Sequence, residues 1–441
     1  MNLRRALSLI AVLAAVVALE PASAPASNSP NMRLSYSLPD PTAGRTDSDL
    51  AFWGNIGVAG NYDGFRVFNT DTHQQLVSYL CRGPQNDVSL WEHNGRLLLF
   101  QSIDTPQTNG ETVCSQNRSS DTTACGPACF EGIRIFDLTD PAAPVYLKGV
   151  YTDCGSHTHT VVPDLANNRL LLYISSYPGS SGPRCQSPFR KISIVQVPLD
   201  APETSSVLPN QPTLVGTAPG CHDMTAFLAI HKMAAMCATE GQIWDISDPA
   251  NPDTTHPVII DDAGVNYWHS AEFTWDGQYL VTNDESFTGT CQPNGDGKIR
   301  IWRMSDHALM SSFMIPRPQG GSYCSVHNGN IIPVVGRYIL VAAWYGGGTS
   351  VVDFTDPSNP HEIAYYLGTT GRGRADTWSS YWYNGKIYAN DITRGLDVFN
   401  LVLPSATYGY PWAHLNPQTQ EIMYPPPLGS LAQLALGARG G

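Results

Sequence analysis

Charged residues are scarce in this sequence, and basic ones are scarcer still. Of 441 residues only 14 % are charged, and 25 Lys and Arg stand against 38 Asp and Glu, which gives a net charge of −13. Nucleic-acid binding needs a basic surface that follows the phosphate backbone, so nucleic acid is excluded as a main partner. The low charge also disfavours a coiled coil or a charged helical bundle.

Long apolar runs are almost absent, and the one run present lies at the N-terminus. Basic residues in Met1–Arg5 precede an apolar stretch at Ala6–Leu19 and the small residues Ala22–Ala24. This order is typical of a secretory signal peptide, so we expect residues 1–24 to be removed and the mature protein to be secreted, without a transmembrane segment. A retained anchor is the alternative, although the run is shorter than the roughly 18 residues that span a bilayer.

Familiar catalytic motifs are also missing. The sequence has no nucleophile elbow of the Gly-x-Ser-x-Gly type, no Walker loop and no dinucleotide-binding glycine fingerprint in a usable context. The glycines at 346–348 lie between two strand-like segments, which indicates a hairpin turn and not a phosphate-binding loop. The sequence therefore leaves open whether the protein is an enzyme.

The abundant residues indicate a turn-rich β protein. The chain has 39 Gly, 34 Pro, 10 % aromatic and 42 % hydrophobic residues, enough for a large core. It also has ten cysteines, an even number that favours disulfides in an exported protein, with the pairing left open. A metal or redox role for Cys125 and Cys129 is the less favoured alternative, because no second close cysteine pair is present.

A repeated phrase reveals the architecture. An alternating apolar strand ends in Asp and is followed by a Ser/Thr-Asp-Pro-x-x-Pro turn at Asp137–Pro144, Asp245–Pro252 and Asp353–Pro360. Weaker copies of the strand occur at four further places, namely Gly64–Asn69, Lys191–Gln196, Lys298–Arg303 and Gly395–Asn400. Each copy is flanked by other strand-like segments, so each unit holds about four strands, as a propeller blade does.

The seven copies predict an all-β, seven-bladed β-propeller of four-stranded antiparallel blades with disulfides. We assign the propeller to residues 45–402, preceded by an N-terminal segment at 25–44. The alternating residues Leu34–Leu38 within that segment are a candidate strand to close the ring, because the seventh blade lacks an outer strand. The Pro-rich tail at 403–441 is expected to be loop or disordered. We expect a monomer.

The phrase resembles the strand for which the LVIVD-repeat family of secreted β-propellers is named, here Ser350–Asp353. Longer blocks at Phe52–Phe65, Gln85–Ser89 and Cys154–Thr160 are similar to an actinobacterial-type branch of that family. The resemblance covers about residues 45 to 402 and implies the propeller fold and export. It implies little chemistry, because the family's function is uncharacterised.

Histidines recur at one position of the repeat. Counting back nine or ten residues from the second strand of successive blades reaches four histidines and a carboxylate, namely His159, His222, His269, His327 and Asp87. In a propeller these positions open the innermost strands, so their side chains are expected to meet at one mouth of the central channel. Further residues are candidates for a supporting role or an additional ligand: His157, Asp223, Glu285, Asn328 and Asp376.

Imidazoles with carboxylates suit transition metals, so the sequence predicts a site for Mn, Fe, Cu or Zn and an exported metal-dependent enzyme of lyase or oxidase type. Mg or Ca would prefer oxygen ligands. The alternative is a non-catalytic extracellular binding propeller whose histidines are structural. In either case we expect the partner at a propeller face to be a small molecule, a glycan or a protein.

Overall fold

Strands are the main regular structure of the chain after the predicted signal peptide. The computed structural model describes residues 28–40, 44–108, 114, 129–176, 185–286, 296–316, 325–368, 374–403 and 409–425. The predicted signal peptide and the side chains of Cys125, Cys129, Cys291 and Cys324 lie outside this part. Within it, none of the helices has the length and apolarity that a membrane crossing would require.

The strands form seven antiparallel sheets, which confirms the predicted seven-bladed β-propeller. β1 (Met32–Leu38) belongs to the last blade, as described below. The first blade consists of β2 (Asp47–Trp53), β3 (Ile56–Asn61), β4 (Gly64–Asn69) and β5 (Gln74–Leu80). The second blade consists of β6 (Gln85–His93), β7 (Arg96–Thr108), β8 (Cys129–Asp137) and β9 (Val145–Tyr151). The third blade consists of β10 (Thr158–Asp164), β11 (Arg169–Ser175), β12 (Ser193–Pro198) and β13 (Ser206–Val207).

The remaining blades repeat this arrangement. They consist of β14 (Asp223–Phe227), β15 (Lys232–Met236), β16 (Gly241–Asp245) and β17 (Asp253–Ile260); β18 (Trp268–Phe273), β19 (Tyr279–Asp284), β20 (Ile299–Arg303) and β21 (Ala308–Phe313); β22 (Gly329–Ile332), β23 (Ile339–Ala343), β24 (Thr349–Asp353) and β25 (His361–Tyr366); and β26 (Thr377–Tyr383), β27 (Lys386–Asp391) and β28 (Gly395–Leu401). Two last strands, β29 (His414–Leu415) and β30 (Thr419–Gln420), follow the seventh blade. Helix is limited to short 3-10 segments at Leu165–Asn167, Pro202–Thr204 and Leu228–Ile230.

The repeated turn phrase has a physical role at the end of the third strand of a blade. In the three full copies the first Asp accepts a hydrogen bond from the backbone N–H two residues later, at 2.9 Å in each case: Asp137 from Thr139, Asp245 from Ser247 and Asp353 from Thr355. The second Asp binds the N–H two residues later in the same way, as Asp248 does with Ala250 at 3.0 Å. These Asx turns lead the chain from the third strand of a blade to the fourth.

Side chains packed between adjacent blades form the core. Trp244, Trp268 and Trp344 are fully buried, and the apolar residues of neighbouring sheets make continuous clusters around the ring. The first strands of neighbouring blades contact one another, so they line the central channel. Because these strands all run the same way along the channel, their first residues meet at one end, which we call the histidine mouth.

Both termini complete the ring. β1 pairs antiparallel with β28 and supplies the outermost strand of the seventh blade. The chain after that blade returns to the channel, where β29 pairs with β2 and β30 pairs in parallel with β14. The expectation of loop or disorder is therefore wrong for residues 414–420, which we call the C-terminal plug.

The C-terminal plug closes the channel at the end opposite the histidine mouth. Its strands pair with the last residues of inner strands, such as Phe52 and Phe227. Its side-chain amides bind two further inner strands: Asn416 exchanges two hydrogen bonds of 2.8 Å with the backbone of Leu90. Gln420 does the same with Phe273, at 3.0 and 2.8 Å. These contacts satisfy backbone groups that face the channel and would otherwise need water.

Three disulfides are present among the described residues. They join Cys81 to Cys114, Cys154 to Cys185 and Cys221 to Cys237. The last two flank the loops that lead to the histidine mouth, because Cys154 precedes His157 by three residues and Cys221 directly precedes His222. The predicted use of cysteines as structural bridges is confirmed for these six residues.

Candidate metal centre

Four imidazoles form a continuous row at the histidine mouth. Their ring centroids are separated by 4.0 Å between His157 and His222, 4.1 Å between His222 and His269, and 4.3 Å between His269 and His327. All four are at least 94 % buried, since their exposure ranges from 0 % for His269 to 6 % for His222. Each comes from a different blade, and we call the set the histidine row.

Two carboxylates join the row. Glu285 places its Oε2 3.6 Å from His269 Nε2 and its Oε1 3.9 Å from His327 Nε2. Asp223 Oδ1 lies 3.1 Å from His222 Nδ1. Two sets of three residues bring their possible ligand atoms within 4.8 Å of one another: His157, His222 and Asp223, and His222, His269 and Glu285. His222 belongs to both sets, so the two sets form one cluster.

The Nδ1 side of the row is held by protein groups. His222 Nδ1 lies against the Asp223 carboxylate, His269 Nδ1 is 3.0 Å from Ser270 Oγ, and His327 Nδ1 donates to the backbone oxygen of Trp378 at 2.5 Å. Holding one ring nitrogen in this way is how proteins orient a metal-ligating imidazole and direct the other nitrogen at the ion. His269 Nε2 is buried and has no hydrogen-bond partner. A buried nitrogen so placed fits a metal ligand.

Burial controls the charge of the row. It lowers the pKa of His222 to about 4 and that of His327 to about 3, and it lowers the pKa of His269 well below its usual value. These three imidazoles are therefore neutral near pH 7, the form that binds metals. Burial would also lower the pKa of His157, but the hydrogen bond and charge of Asp104 outweigh it, and the pKa is raised.

The carboxylates are affected differently. Burial raises the pKa of Glu285 to about 7, partly opposed by the Tyr345 hydroxyl, which donates to Glu285 Oε1 at 2.7 Å. Burial would raise the pKa of Asp223 too, but the charge and hydrogen bond of His222 outweigh burial and lower it. Tyr345 has a φ of +43°, a strained backbone conformation for a residue with a Cβ. Such strain is concentrated at functional sites.

His159 and Asp87, predicted as ligands, bind each other instead. His159 Nδ1 lies 2.8 Å from Ser102 Oγ and 3.0 Å from Asp87 Oδ2, and His159 Nε2 lies 2.5 Å from Ser89 Oγ. Both ring nitrogens thus have partners in the second blade, and burial lowers the pKa of His159 to about 3. The structure therefore brings His157, predicted in a supporting role or as an additional ligand, into the row and leaves His159 outside it, because β10 begins only at Thr158 and the strand alternation does not reach His157.

The other predicted supporting residues divide into two groups. Asn328 lines the cavity beside the row, and its Oδ1 is buried without a hydrogen-bond partner. Asp376 is not brought to the cluster: it is half-buried at the start of the seventh blade, and its backbone N–H donates to Asp391. Burial raises the pKa of the Asp376 carboxyl.

Across the cavity from the row lies a pair of carboxyl groups, the predicted Asp87 and Asp49, which the sequence did not predict. The two carboxyl groups interact with each other, and Asp49 Oδ1 accepts from Tyr381 Oη at 2.5 Å. Burial raises the pKa of Asp87 to about 7 and that of Asp49 well above its usual value, so the pair holds a proton near pH 7. Asp49 lies near the start of β2, the inner strand of the first blade, but counting back nine or ten residues from Ile56 at the start of β3 reaches Asp47 or Thr46, so the repeat count does not find it.

The cavity between these groups is small and enclosed. The cavity volume is about 10 Å³, and its walls include His222, His269, His327, Asp49 and Asp87. This is room for one water molecule or one ion. The aromatic rings of Trp378 and Tyr267 contact the row, at 4.8 Å from His327 and 5.4 Å from His222 respectively.

Comparison with known proteins supports the fold and extends no further. No model of a known protein family and no curated protein matches the sequence. A chain in the crystal structure of the mitotic checkpoint complex is similar, with a TM-score of 0.51 and 13 % identity over 89 % of this chain and 99 % of that one. A chain in the crystal structure of Chaetomium thermophilum Raptor has a TM-score of 0.48 and 12 % identity, over 87 % of this chain and 30 % of that one, and carries no argument.

At these identities only the fold is shared, and the resemblance to the LVIVD-repeat family stays a prediction. The conclusion that the fold and the comparisons support together is that this protein is a seven-bladed β-propeller.

Proposed function

We propose that the histidine row, with Asp223 and Glu285, binds one transition-metal ion, and that the protein is an exported propeller acting through that metal. The observation that carries the proposal is His269 Nε2, a fully buried nitrogen without a hydrogen-bond partner, 3.6 Å from Glu285 Oε2. An unsatisfied buried polar atom costs about 1–3 kcal/mol, so its retention needs an explanation. A bound ion between the imidazole and the carboxylate supplies one.

The ligand types narrow the choice of ion. Neutral imidazoles with two carboxylates suit Zn, Cu, Fe or Mn, and affinity at a nitrogen-rich site is expected to follow the order Mn, Fe, Zn, Cu from weakest to strongest. An ion also offsets the buried negative charge of Asp223. Such a metal supplies Lewis acidity, an activated water molecule or a redox couple, which are the chemistries of lyases, hydrolases and oxidases.

The protein's own groups would control what reaches the metal. The C-terminal plug closes the far end of the channel, so a substrate would approach from the histidine mouth, where Trp378 and Tyr267 contact the row. Tyr345 would orient Glu285 through its hydrogen bond. The proton shared by Asp49 and Asp87, at the same cavity, is available to a reacting group.

Export is part of the proposal. The N-terminal sequence, the resemblance to the LVIVD-repeat family and the three disulfides all support an extracytoplasmic location. Disulfides persist in oxidising compartments. The Cys221–Cys237 bridge holds the chain next to the site, since His222 directly follows Cys221. Reduction in the cytoplasm would loosen the loop that carries this ligand.

The test is elemental analysis of the full exported chain, purified without a His-tag, before and after chelation. We expect about one Zn, Cu, Fe or Mn per chain, lost in His269→Ala and retained in the control His361→Ala, whose histidine is exposed on β25. Metal restored to the chelated protein at about 100 times its Kd should stabilise the fold by about 2.7 kcal/mol. No bound metal, with no change in Tm when the four ions are added to the chelated protein, would refute the proposal.

A further inference from the structure

A second cavity opens at the other end of the propeller, between the fifth and sixth blades. The volume of this cavity is about 260 Å³. Its walls come from the β18–β19 turn, the β22–β23 turn, the residues after β24, and the chain that follows the C-terminal plug. These turns lie at the ends of the inner strands, so the cavity is separated from the histidine row by the length of the channel.

Aromatic rings form one side of this cavity. Trp275, Tyr338 and Tyr424 line it, and each ring is fixed by its neighbours. Trp275 Nε1 donates to the backbone oxygen of Ile331 at 2.6 Å, and its ring lies 4.5 Å from that of Trp412. Rigid aromatic faces bind flat apolar surfaces at little entropic cost.

Polar groups line the cavity beside these rings. The Asp276 carboxylate is held by three hydrogen bonds, from the Tyr338 hydroxyl at 2.7 Å, the Thr274 hydroxyl at 2.8 Å and the Gln278 N–H at 3.0 Å. A carboxylate has about four lone-pair positions, so Asp276 can accept a further hydrogen bond. Thr355 Oγ1 accepts from the Tyr338 N–H at 3.1 Å, and the Thr355 side chain also hydrogen-bonds the Asp353 carboxylate, so Asp276 is the group left to bind a ligand hydroxyl.

We propose that this cavity binds a neutral sugar ring. A pyranose has an apolar face formed by C–H groups and an edge of hydroxyls, which matches an aromatic wall with a fixed carboxylate beside it. The volume is just under the range of about 300–1,000 Å³ for ligand pockets, so one ring fits and a longer chain would extend out of the cavity.

The charges disfavour an anionic ligand such as a uronate or a phosphate. Arg337 is the one cationic side chain in the wall, among the described residues, and it donates to the Asp353 carboxylate. Asp276 accepts its hydrogen bonds from neutral donors, the Thr274 and Tyr338 hydroxyls and the Gln278 N–H, and would repel an anion. The net charge of −13 acts in the same direction.

The experiment titrates the full chain, by calorimetry and tryptophan fluorescence, with methyl glucoside, methyl galactoside, methyl mannoside and N-acetylglucosamine, with and without chelator. We expect saturable millimolar binding of at least one sugar, unchanged by the chelator. Tyr424→Ala and Asp276→Ala should each weaken it by about tenfold or more. Asp306→Ala, which removes an exposed carboxylate from the β20–β21 turn of the fifth blade, should leave it within about twofold.

Three results would overturn the proposal. The first is the absence of saturable binding by all four sugars. The second is binding that neither Tyr424→Ala nor Asp276→Ala weakens, measured at a temperature where both variants are folded. If Asp276→Ala does not fold, Tyr338→Phe replaces it, because that substitution removes only a hydroxyl. The third is tighter binding of glucuronate than of the neutral sugars. Because chelation separates the two sites, failure here leaves the proposed metal function intact.

Discussion

Replacing Gln420 by alanine tests the C-terminal plug directly. The Gln420 amide accepts a hydrogen bond from the Phe273 N–H and donates one to the Phe273 carbonyl, and Phe273 is fully buried. The alanine variant leaves both backbone groups without a protein partner, at about 1–3 kcal/mol each. Water admitted by the smaller side chain offsets part of this, so we expect a loss of about 2–4 kcal/mol in the free energy of unfolding. For the roughly 340 described residues at about 2.1 cal/mol/K each, this corresponds to a fall in Tm of roughly 3–6 °C.

The assay is thermal unfolding followed by circular dichroism, together with hydrogen exchange of the Phe273 amide, which should become faster in Gln420→Ala. Asn416→Ala should behave in the same way at Leu90. The control is Gln75→Ala on the outer strand of the first blade, which removes an exposed amide and should change stability by less than about 0.5 kcal/mol. If Gln420→Ala and Asn416→Ala are as mild as this control, the C-terminal segment does not close the channel.

Two further perturbations follow from buried groups. Burial raises the pKa of Asp47 to about 7, although Arg66 opposes it, so the folded state holds a proton that the unfolded state releases near pH 4. The stability from this proton is present at low pH and is lost as the pH rises toward 7. Between about pH 5 and pH 7 the free energy of unfolding of Asp47→Asn, measured with urea, should therefore fall less steeply than that of the wild type, by about 1.4 kcal/mol per pH unit. Parallel curves for the two proteins would contradict this. Replacing Cys221 and Cys237 together by serine opens a loop closed over 16 residues and should lower the free energy of unfolding by about 3 kcal/mol. It should also weaken the proposed metal binding, because His222 is adjacent to Cys221. Unchanged stability and metal content would show that the bridge supports neither.

Much of the fold could be predicted because its signals are local. The alternation of strands such as β16 and the Asp-x-Ser/Thr-Asp-Pro turns are read within about ten residues, and the turns work through hydrogen bonds to N–H groups two residues away. Repetition of such a unit predicts a ring, since each blade buries its faces only against neighbouring blades. The position of the histidines within the unit then placed them at one end of the channel.

Which histidines form the row was not local information. His157 and His159 are two residues apart, and only packing distinguishes them: His159 meets Ser89, which is 70 residues away in the second blade, and both of its nitrogens are satisfied there. His157 meets His222 of the next blade instead. No spacing rule encodes which blade receives which ring.

The sequence by itself determined the strands, the seven-fold repeat, the turns and the concentration of histidines at inner-strand starts, because these depend on backbone preference and apolar alternation over short distances. Only the tertiary structure decided that His157, His222, His269 and His327 form the row, and that a Pro-rich segment closes the channel. Those outcomes depend on hydrogen-bond partners contributed by other blades: Gln420 meets Phe273 across 147 residues. Composition predicts loop for such a segment, since its stability comes from satisfying buried backbone groups that exist only once the ring has closed.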